Sequence, residues 1–216
     1  MSENKYSKQE IQVLVKELAK YSSATVHEAL GRVGAVDYGI KPISKGMKIC
    51  GPAVTVCCHV GDNLMLHKAV AAADPGDVII ADMGSNRQQG SWGDVLSTQA
   101  HHNGINGFVT NSGVRDSEEI TQMGFSVFSG SICIAGTVKA TIGTLNEAIS
   151  FGGVIVNPGD IVLGDDDGIM IVPQGRLQEA IDASRAREEK ETIMKEKIRQ
   201  GATTAELLGL LEQLGM

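Results

Sequence analysis

Between residues 52 and 128, short β-branched runs alternate with short helical patterns, and that alternation most limits what the chain can fold into. Pro52-Ala53-Val54-Thr55-Val56-Cys57-Cys58-His59-Val60 is dense in strand formers. Gly61-Asp62-Asn63 turns the chain, and Asp62 is placed to cap a helix from about residue 63 to 73. After Pro75-Gly76-Asp77, the run Val78-Ile79-Ile80-Ala81-Asp82 reads as a strand buried on both faces. A polar loop over 84–90 follows, then a helix over 94–102, a strand over 107–110, a short helix over 117–123 with Ser117 as its cap, and a strand over 125–128. Strands separated by helices pair in parallel. The segment 152–173 is different. Its strands are split only by Asn157-Pro158-Gly159-Asp160 and Asp165-Asp166-Asp167-Gly168, connections short enough for antiparallel hairpins. The expected fold class is α/β, with mixed sheets and flanking helices.

The flanks are helical. Ser7-Lys8-Gln9-Glu10 is a capping box, and Ile11, Leu14, Val15, Leu18 and Tyr21 follow at helical spacing. Thr25-Val26-His27-Glu28 reads as a second box, opening a helix through Leu30 that ends near Gly31 or Gly34. A long charged helix is expected from 175 to about 200, its mixed charges forming a solvated face. Thr203-Thr204-Ala205-Glu206 opens one last helix carrying Leu207, Leu208, Leu210, Leu211 and Leu214, which covers either its own core or another subunit.

The 216 residues suit one sizeable domain. With 42% hydrophobic and 21% charged residues the class is soluble and globular. A net charge of −7, no basic stripe and 4% aromatic residues argue against nucleic acid as a partner. No run reaches the length of a membrane span, and the polar start lacks a signal peptide, so a cytoplasmic location is expected. The four cysteines show no CxxC spacing and read as free thiols.

The chemistry centres on residues 91–116. Arg115 and Asp116 follow an apolar strand in a glycine-flanked turn, where both side chains can reach one pocket. Arginine offers a planar fork to a carboxylate or enolate oxygen, and aspartate a hard oxygen for a divalent cation. Upstream, Gly93-Asp94-Val95-Leu96 opens a helix, where backbone N–H groups favour an anion. Together these parts fit a small, metal-chelating oxyacid. Other patterns carry less. Asp165-Asp166-Asp167-Gly168 lacks the spaced oxygens of an EF-hand and reads as a hairpin turn with solvated carboxylates. No P-loop, GxGxxG or GxSxG is present. His27 reads as a surface residue, and His101 and His102 as helix-end residues. Lys139, in Gly136-Thr137-Val138-Lys139, reads either as a Schiff-base lysine or, more plainly, as an ordinary surface or salt-bridged residue.

Gly61-Asp62-Asn63-Leu64, His67-Lys68-Ala69-Val70, Pro75-Gly76-Asp77-Val78, Ala81-Asp82, Trp92-Gly93-Asp94-Val95-Leu96, Val114-Arg115-Asp116 and Pro158-Gly159-Asp160…Asp166-Asp167-Gly168 occur in this order. The ordered set, spanning about 25–173, resembles the RraA-like family, in the branch of 4-hydroxy-4-methyl-2-oxoglutarate/4-carboxy-4-hydroxy-2-oxoadipate aldolases. The resemblance implies a β/β/α swivelling-domain fold in one domain over 1–216, with a core over 25–173 and a helical extension over 175–216. It implies a homotrimer or homohexamer. It implies a class II aldolase using Mg²⁺ or Mn²⁺, cleaving a small 2-oxo acid to pyruvate and also decarboxylating oxaloacetate. In such a site the backbone of Gly93, Asp94, Val95 and Leu96 holds the pyruvyl carboxylate and Arg115 binds the keto or enolate oxygen. Asp116 is the direct metal ligand, and Asp94 holds metal-bound water. A carboxylate from a neighbouring subunit also contributes, with Glu188, Glu189 and Glu191 in the matching region. The family's regulatory member, which binds ribonuclease E, lacks the metal-binding aspartate, so Asp116 favours the enzyme over the regulator.

Two departures bear on the substrate. Thr110-Asn111-Ser112-Gly113 stands where the family often has Asp-Gly before Val-Arg-Asp, and Gly84-Ser85-Asn86-Arg87-Gln88-Gln89-Gly90 replaces a more usual Gly-Gly-Asn start. Arg87 is either a second carboxylate binder or a solvated residue.

Overall fold

The computed structural model describes residues 6–84 and 86–216. The polar residues 1–5 and Ser85 lie outside them. Two helices, α1 (Lys8–Leu18) and α2 (Ser23–Ala29), lead in. Strands β1 (Lys41–Pro42) and β2 (Ile49–Cys57) precede α3 (Leu64–Ala72), β3 (Val78–Asp82), β4 (Gly90–Trp92) and α4 (Asp94–His102). Then come β5 (Gly107–Thr110), β6 (Gly113–Val114), α5 (Ser117–Met123), β7 (Ser126–Ser129) and β8 (Ser131–Ile132). Short strands β9 (Thr144–Leu145), β10 (Ile149–Phe151) and β11 (Val154–Val156) lead to β12 (Ile161–Asp165) and β13 (Gly168–Val172). Helices α6 (Leu177–Arg199), α7 (Thr204–Leu207) and α8 (Leu211–Leu214) finish the chain.

The main sheet runs β1-β7-β5-β3-β2-β12-β13, with β9 pairing to β2. Its centre is parallel, as the strand–helix alternation predicts: β2 pairs β3, β3 pairs β5 and β5 pairs β7 in that sense. Strands β12 and β13 form an antiparallel hairpin, and β12 runs antiparallel to β2. The alternation of side chains explains why the central strands are apolar throughout. Val54, Ile79, Phe108 and Val127 enter a core that includes residues of α3, α4 and α5. Their neighbours Ala53, Ile80, Val109 and Phe128 enter a second core with Ile149 and Phe151 of β10. A third core joins α1, α2 and α6 to β12 and β13.

Several local expectations need correction. The second N-terminal helix is capped by Ser22, whose Oγ accepts from Thr25 N–H, so Thr25 lies inside the helix. The cap of α5 is Asp116 in a left-handed conformation, one residue before Ser117. The Asp165 turn is not simply solvated: Asp165 accepts from the backbone and hydroxyl of Ser23, and Asp166 accepts from Gly46 N–H. The final helix is two short ones, interrupted where Gly209 adopts a positive φ of 67°. Thr203 and Glu206 do form the expected capping box.

Candidate active site

A second, small parallel sheet builds the site. Strands β4, β6 and β8 lie side by side, with Trp92 opposite Val114 and Val114 opposite Ile132. Pairing continues one step further. Arg115 N–H donates to Trp92 O at 2.9 Å, and Cys133 N–H to Val114 O at 2.8 Å. Gly93, Arg115 and Cys133 therefore leave the three strand ends as neighbours. Below them Trp92 is fully buried and stacked on Phe108, ring centroids 3.8 Å apart. Its indole N–H donates to Ser97 Oγ at 2.6 Å, tying the first turn of α4 to the strand.

The structure brings Arg115, Asp116, Asp94 and Gly93 together. Asp116 has φ 54°, a left-handed backbone that aspartate tolerates better than most residues but still at a cost. That turn points its carboxylate back at the start of α4, where Oδ2 accepts from Asp94 N–H at 3.1 Å. Arg115 Nε lies 3.4 Å from the same oxygen. Both side chains remain reachable, Arg115 48% and Asp116 32% exposed. A methyl group on Gly136 would lie 4.0 Å from the Arg115 guanidinium.

Not all the amides at the start of α4 are free. Asp94 N–H is taken by Asp116, and Val95 N–H by the carboxylate of Asp94 itself at 2.8 Å. Leu96 is buried in the core beneath, while Val95 presents its side chain to solvent and Asp94 its carboxylate to the site.

The donor set suits a hard cation that keeps most of its own waters. Among the described residues no group of three or more His, Cys, Asp or Glu side chains converges. Asp116 and Asp94 each turn one carboxylate oxygen to a backbone N–H, and the other has no hydrogen bond among the described residues. One or two carboxylates completed by water and a chelating ligand match how Mg²⁺ is held.

Other candidates fall elsewhere. Arg87 is half exposed and 3.5 Å from Asp37. The two departures noted in the sequence form one unit. Asn111 donates to Asp82 at 2.7 Å and accepts from Met83 N–H at 2.8 Å, while Ser112 Oγ donates to Asn86 O at 2.6 Å. They stitch Asp82, Met83 and Asn86 to the segment that leads into β6 and Arg115. Lys139 is exposed and sits in no apolar pocket of the kind that activates a Schiff-base lysine. Glu191 pairs with Arg187 and Lys195, and no hydrogen bond or ion pair links Glu188, Glu189 or Glu191 to Arg115 within the chain. His101 and His102 end α4. A cavity of 1240 Å³ lies apart from this site, between α1 and the start of β2, and includes none of Asp94, Arg115 or Asp116.

Sequence reasoning missed Asn63 and the strap over residues 133–141. Asn63 Nδ2 donates to Ser91 O at 2.9 Å, bracing the free side of β4. Along the strap, Ala135 O accepts from Gly90 N–H, and Val138 exchanges hydrogen bonds with Gly61 and Asn63. Asp62, 1% exposed, accepts from the N–H groups of Leu64, Ala140 and Thr141, which hold its carboxyl below the usual range. The one signal available was the Gly61-Asp62-Asn63 turn, which reads locally as a helix cap and gives no hint of a partner 78 residues away.

Comparison with known proteins identifies the relatives of the chain. The RraA-like family model, described as Aldolase/RraA, matches residues 23–171. The chain belongs to that RraA-like family. It is 34% identical over 163 residues to a protein of Halalkalibacterium halodurans named "Putative 4-hydroxy-4-methyl-2-oxoglutarate aldolase", covering 76% of this chain and 78% of that one. A Pseudomonas aeruginosa protein of the same name is 35% identical over 124 residues, 57% of this chain and 76% of its own. Among solved structures, Streptomyces coelicolor RraAS2, described as an unusual member of the RNase ES inhibitor RraA protein family, superposes with a TM-score of 0.75. It is 25% identical over 86% of this chain and 98% of its own. No helix among the described residues is long and apolar enough to cross a membrane.

Proposed function

We propose that this chain is a divalent-cation-dependent lyase of the cytoplasm that cleaves 4-hydroxy-4-methyl-2-oxoglutarate-type acids to pyruvate and decarboxylates oxaloacetate. The observation that carries the reading is the left-handed turn at Asp116, which sets its carboxylate against Asp94 N–H and beside Arg115. A residue keeps such a conformation where the surroundings enforce it, and such positions cluster at functional sites.

In this reading Asp116 holds Mg²⁺ or Mn²⁺, with Asp94 on its water shell. A bound divalent cation supplies positive charge to the 2-keto oxygen as it becomes an enolate. The remaining work falls to the chain. Val95 and Leu96 N–H groups at the start of α4 receive the pyruvyl carboxylate once Asp94 turns away. Arg115 directs its guanidinium at the 2-keto oxygen, where negative charge grows as the C3–C4 bond breaks. Trp92 and Ser97 keep the α4 turn fixed, so these donors need little reorganisation.

We also propose that the chain acts as a homotrimer or homohexamer. Ile132, Ile134, Val138 and Ile142, in and beside the strap, are 57%, 93%, 62% and 80% exposed, and exposed apolar side chains so close in sequence suit a subunit contact. Light scattering on the purified chain tests this.

The second reading is a regulator that binds and inhibits a ribonuclease, as the description of the Streptomyces coelicolor relative says of its family. Pyruvate release discriminates. Coupled assay of 4-hydroxy-4-methyl-2-oxoglutarate and oxaloacetate with Mg²⁺ or Mn²⁺ yields pyruvate that EDTA abolishes if the lyase reading holds. Absence of pyruvate from both, in a chain that slows RNA cleavage by a ribonuclease E-type enzyme, establishes the regulator.

A further inference from the structure

Beyond Ser184 no residue is buried, although the stretch over 185–216 is largely helical. Arg185 and Arg187 still pair with Glu17 of α1 and Glu28 of α2, at 3.5 and 3.7 Å. The helix then runs on to Arg199. After it, the tail over 200–216 carries Leu207, Leu208, Leu210, Leu211 and Leu214, with Leu208 56% and Leu214 58% exposed. Its only charged side chains are Glu206 and Glu212. Its helices α7 and α8 have four residues each, too few to hold themselves in water, so the tail calls for a surface to pack on.

The groove of 1240 Å³ between α1 and the start of β2 offers such a surface, with Ile11, Val15, Pro52, Val54 and Leu163 on its walls. Most acids that line it are spent within the chain. Asp74 pairs with Lys8 at 2.7 Å, Asp165 accepts from Ser23, and Asp77 accepts from Asp74 N–H at 2.9 Å. Lys16 and Lys48, also on the lining, join no ion pair among the described residues. Neither does Glu188, the one residue of α6 that reaches the groove. Groove and tail are thus both apolar, with lysine in excess on one and only acids on the other. A chain's own tail is poorly placed to fill its own groove. From Glu188 to Arg199 the helix carries the start of the tail about 16 Å onward.

We propose that the tail over 200–216 packs in the α1 groove of a second copy of this chain, which returns its own tail to the first. Such an exchange is isologous and needs a two-fold axis. With the outer halves of α6 antiparallel across that axis, Arg199 of each chain comes level with Glu188 of the other. Each tail therefore emerges at the groove that it fills. Leu208 and Leu214 leave water against the apolar walls, and the acids of the tail meet the free lysines of α1 and β2. Added to a trimer, this contact selects the hexamer of the two assemblies proposed above. The inference stands apart from the lyase reading and uses none of its residues.

The test is the mass of the full chain in solution, by sedimentation velocity over a concentration series. Leu208→Ser/Leu214→Ser alters side chains that face water in the single chain, so the fold stays, and circular dichroism checks that it does. The assembly should fall to half its mass, or need on the order of 10²-fold more protein to persist, since two leucines on each of two tails lose their burial. Lys16→Glu/Lys48→Glu should also halve the mass, and adding Glu212→Lys to it should restore the larger species. An unchanged mass in the leucine variant overturns the exchange, whether the groove then serves the chain's own tail or a small ligand. A mass halved by the leucine changes but not by the lysine changes overturns the groove as the seat of the tail. A wild-type chain that sediments as a monomer or a trimer at every concentration overturns the proposal outright.

Discussion

A methyl group on Gly93 would lie 2.3 Å from Oδ2 of Asp116, well inside van der Waals contact. Gly93 itself has φ −147°, a conformation open to any residue, so backbone strain does not demand glycine here. The demand comes from the approach of the Asp116 carboxylate to the start of α4. Gly93→Ala is therefore expected to push Asp116 out of place while leaving the fold intact. Metal-dependent pyruvate release should fall on the order of 10²-fold or more, since displacements near 1 Å at a reacting centre cost that much. Near-normal turnover in a folded Gly93→Ala protein would remove Asp116 from the site.

Asp116 trades stability for position. Left-handed backbone costs a non-glycine residue on the order of 1 kcal/mol, and glycine pays nothing for it sterically. Asp116→Gly relieves that strain but surrenders the hydrogen bond from Asp94 N–H. The thermal midpoint should stay level or rise, while turnover and Mn²⁺ binding disappear. Calorimetry and a metal titration on one sample check both halves, and a fall in midpoint of more than a few degrees contradicts the account of strain.

Arg115 and Asp116 were legible in the sequence because both sit next to each other in a glycine-flanked turn. The parallel centre of the main sheet was legible for a similar reason: strands such as Val78–Asp82 are apolar without interruption, as burial on both faces requires. What was not legible depended on long-range pairing. Strand β4 has three residues and β6 and β8 two each, too short for a periodicity signal, yet together they set Gly93, Arg115 and Cys133 side by side. The Asp62 contacts with Ala140 and Thr141 are likewise invisible locally, because an aspartate after glycine reads equally well as a helix cap. The break at Gly209 was readable in principle: a glycine inside a leucine-rich helical pattern is the weakest point of that pattern.

Arg115→Lys separates chemistry from stability. The Arg115–Asp116 contact is half exposed at 3.4 Å, and such pairs contribute about 0–1 kcal/mol. The melting temperature should move little. Lysine cannot reproduce the planar fork, so turnover should drop at least about tenfold, with weaker oxalate binding. Unchanged kinetics would place Arg115 outside the reaction.

The four cysteines should react in a fixed order. Burial pushes the Cys50 and Cys58 thiols up to about 12, so neither is a nucleophile in the native chain at pH 8. Cys57 is half-buried, and its thiol is also raised, by burial first and then by Asp82 and Glu147. Cys133 is half-buried at the strand end beside Arg115. Iodoacetamide should label Cys133 first, all four only after denaturation, and mass mapping of a time course reads this directly. Oxalate with Mn²⁺ should slow the Cys133 reaction. Equal rates at Cys133 and Cys50 would contradict the burial assigned to them.

Asp62 makes the strap sensitive to acid. Backbone N–H groups of Leu64, Ala140 and Thr141 hold its carboxylate, so its folded-state pKa lies below the ordinary 3.8. With a depressed folded pKa, the contribution to stability is fully present above 3.8 and fades as pH falls through the lower, folded value. Asp62→Asn removes the charge at every pH. The variant should therefore melt below wild type at pH 7, and the gap should close as the pH falls under 3.8. Amide hydrogen exchange localises the effect: residues 138–141 should lose protection in Asp62→Asn at pH 7, while the amides of β3 and β5 keep theirs. A gap that widens on acidification would reverse the sign of the linkage, and would mean that the strap is held by something other than the Asp62 carboxylate.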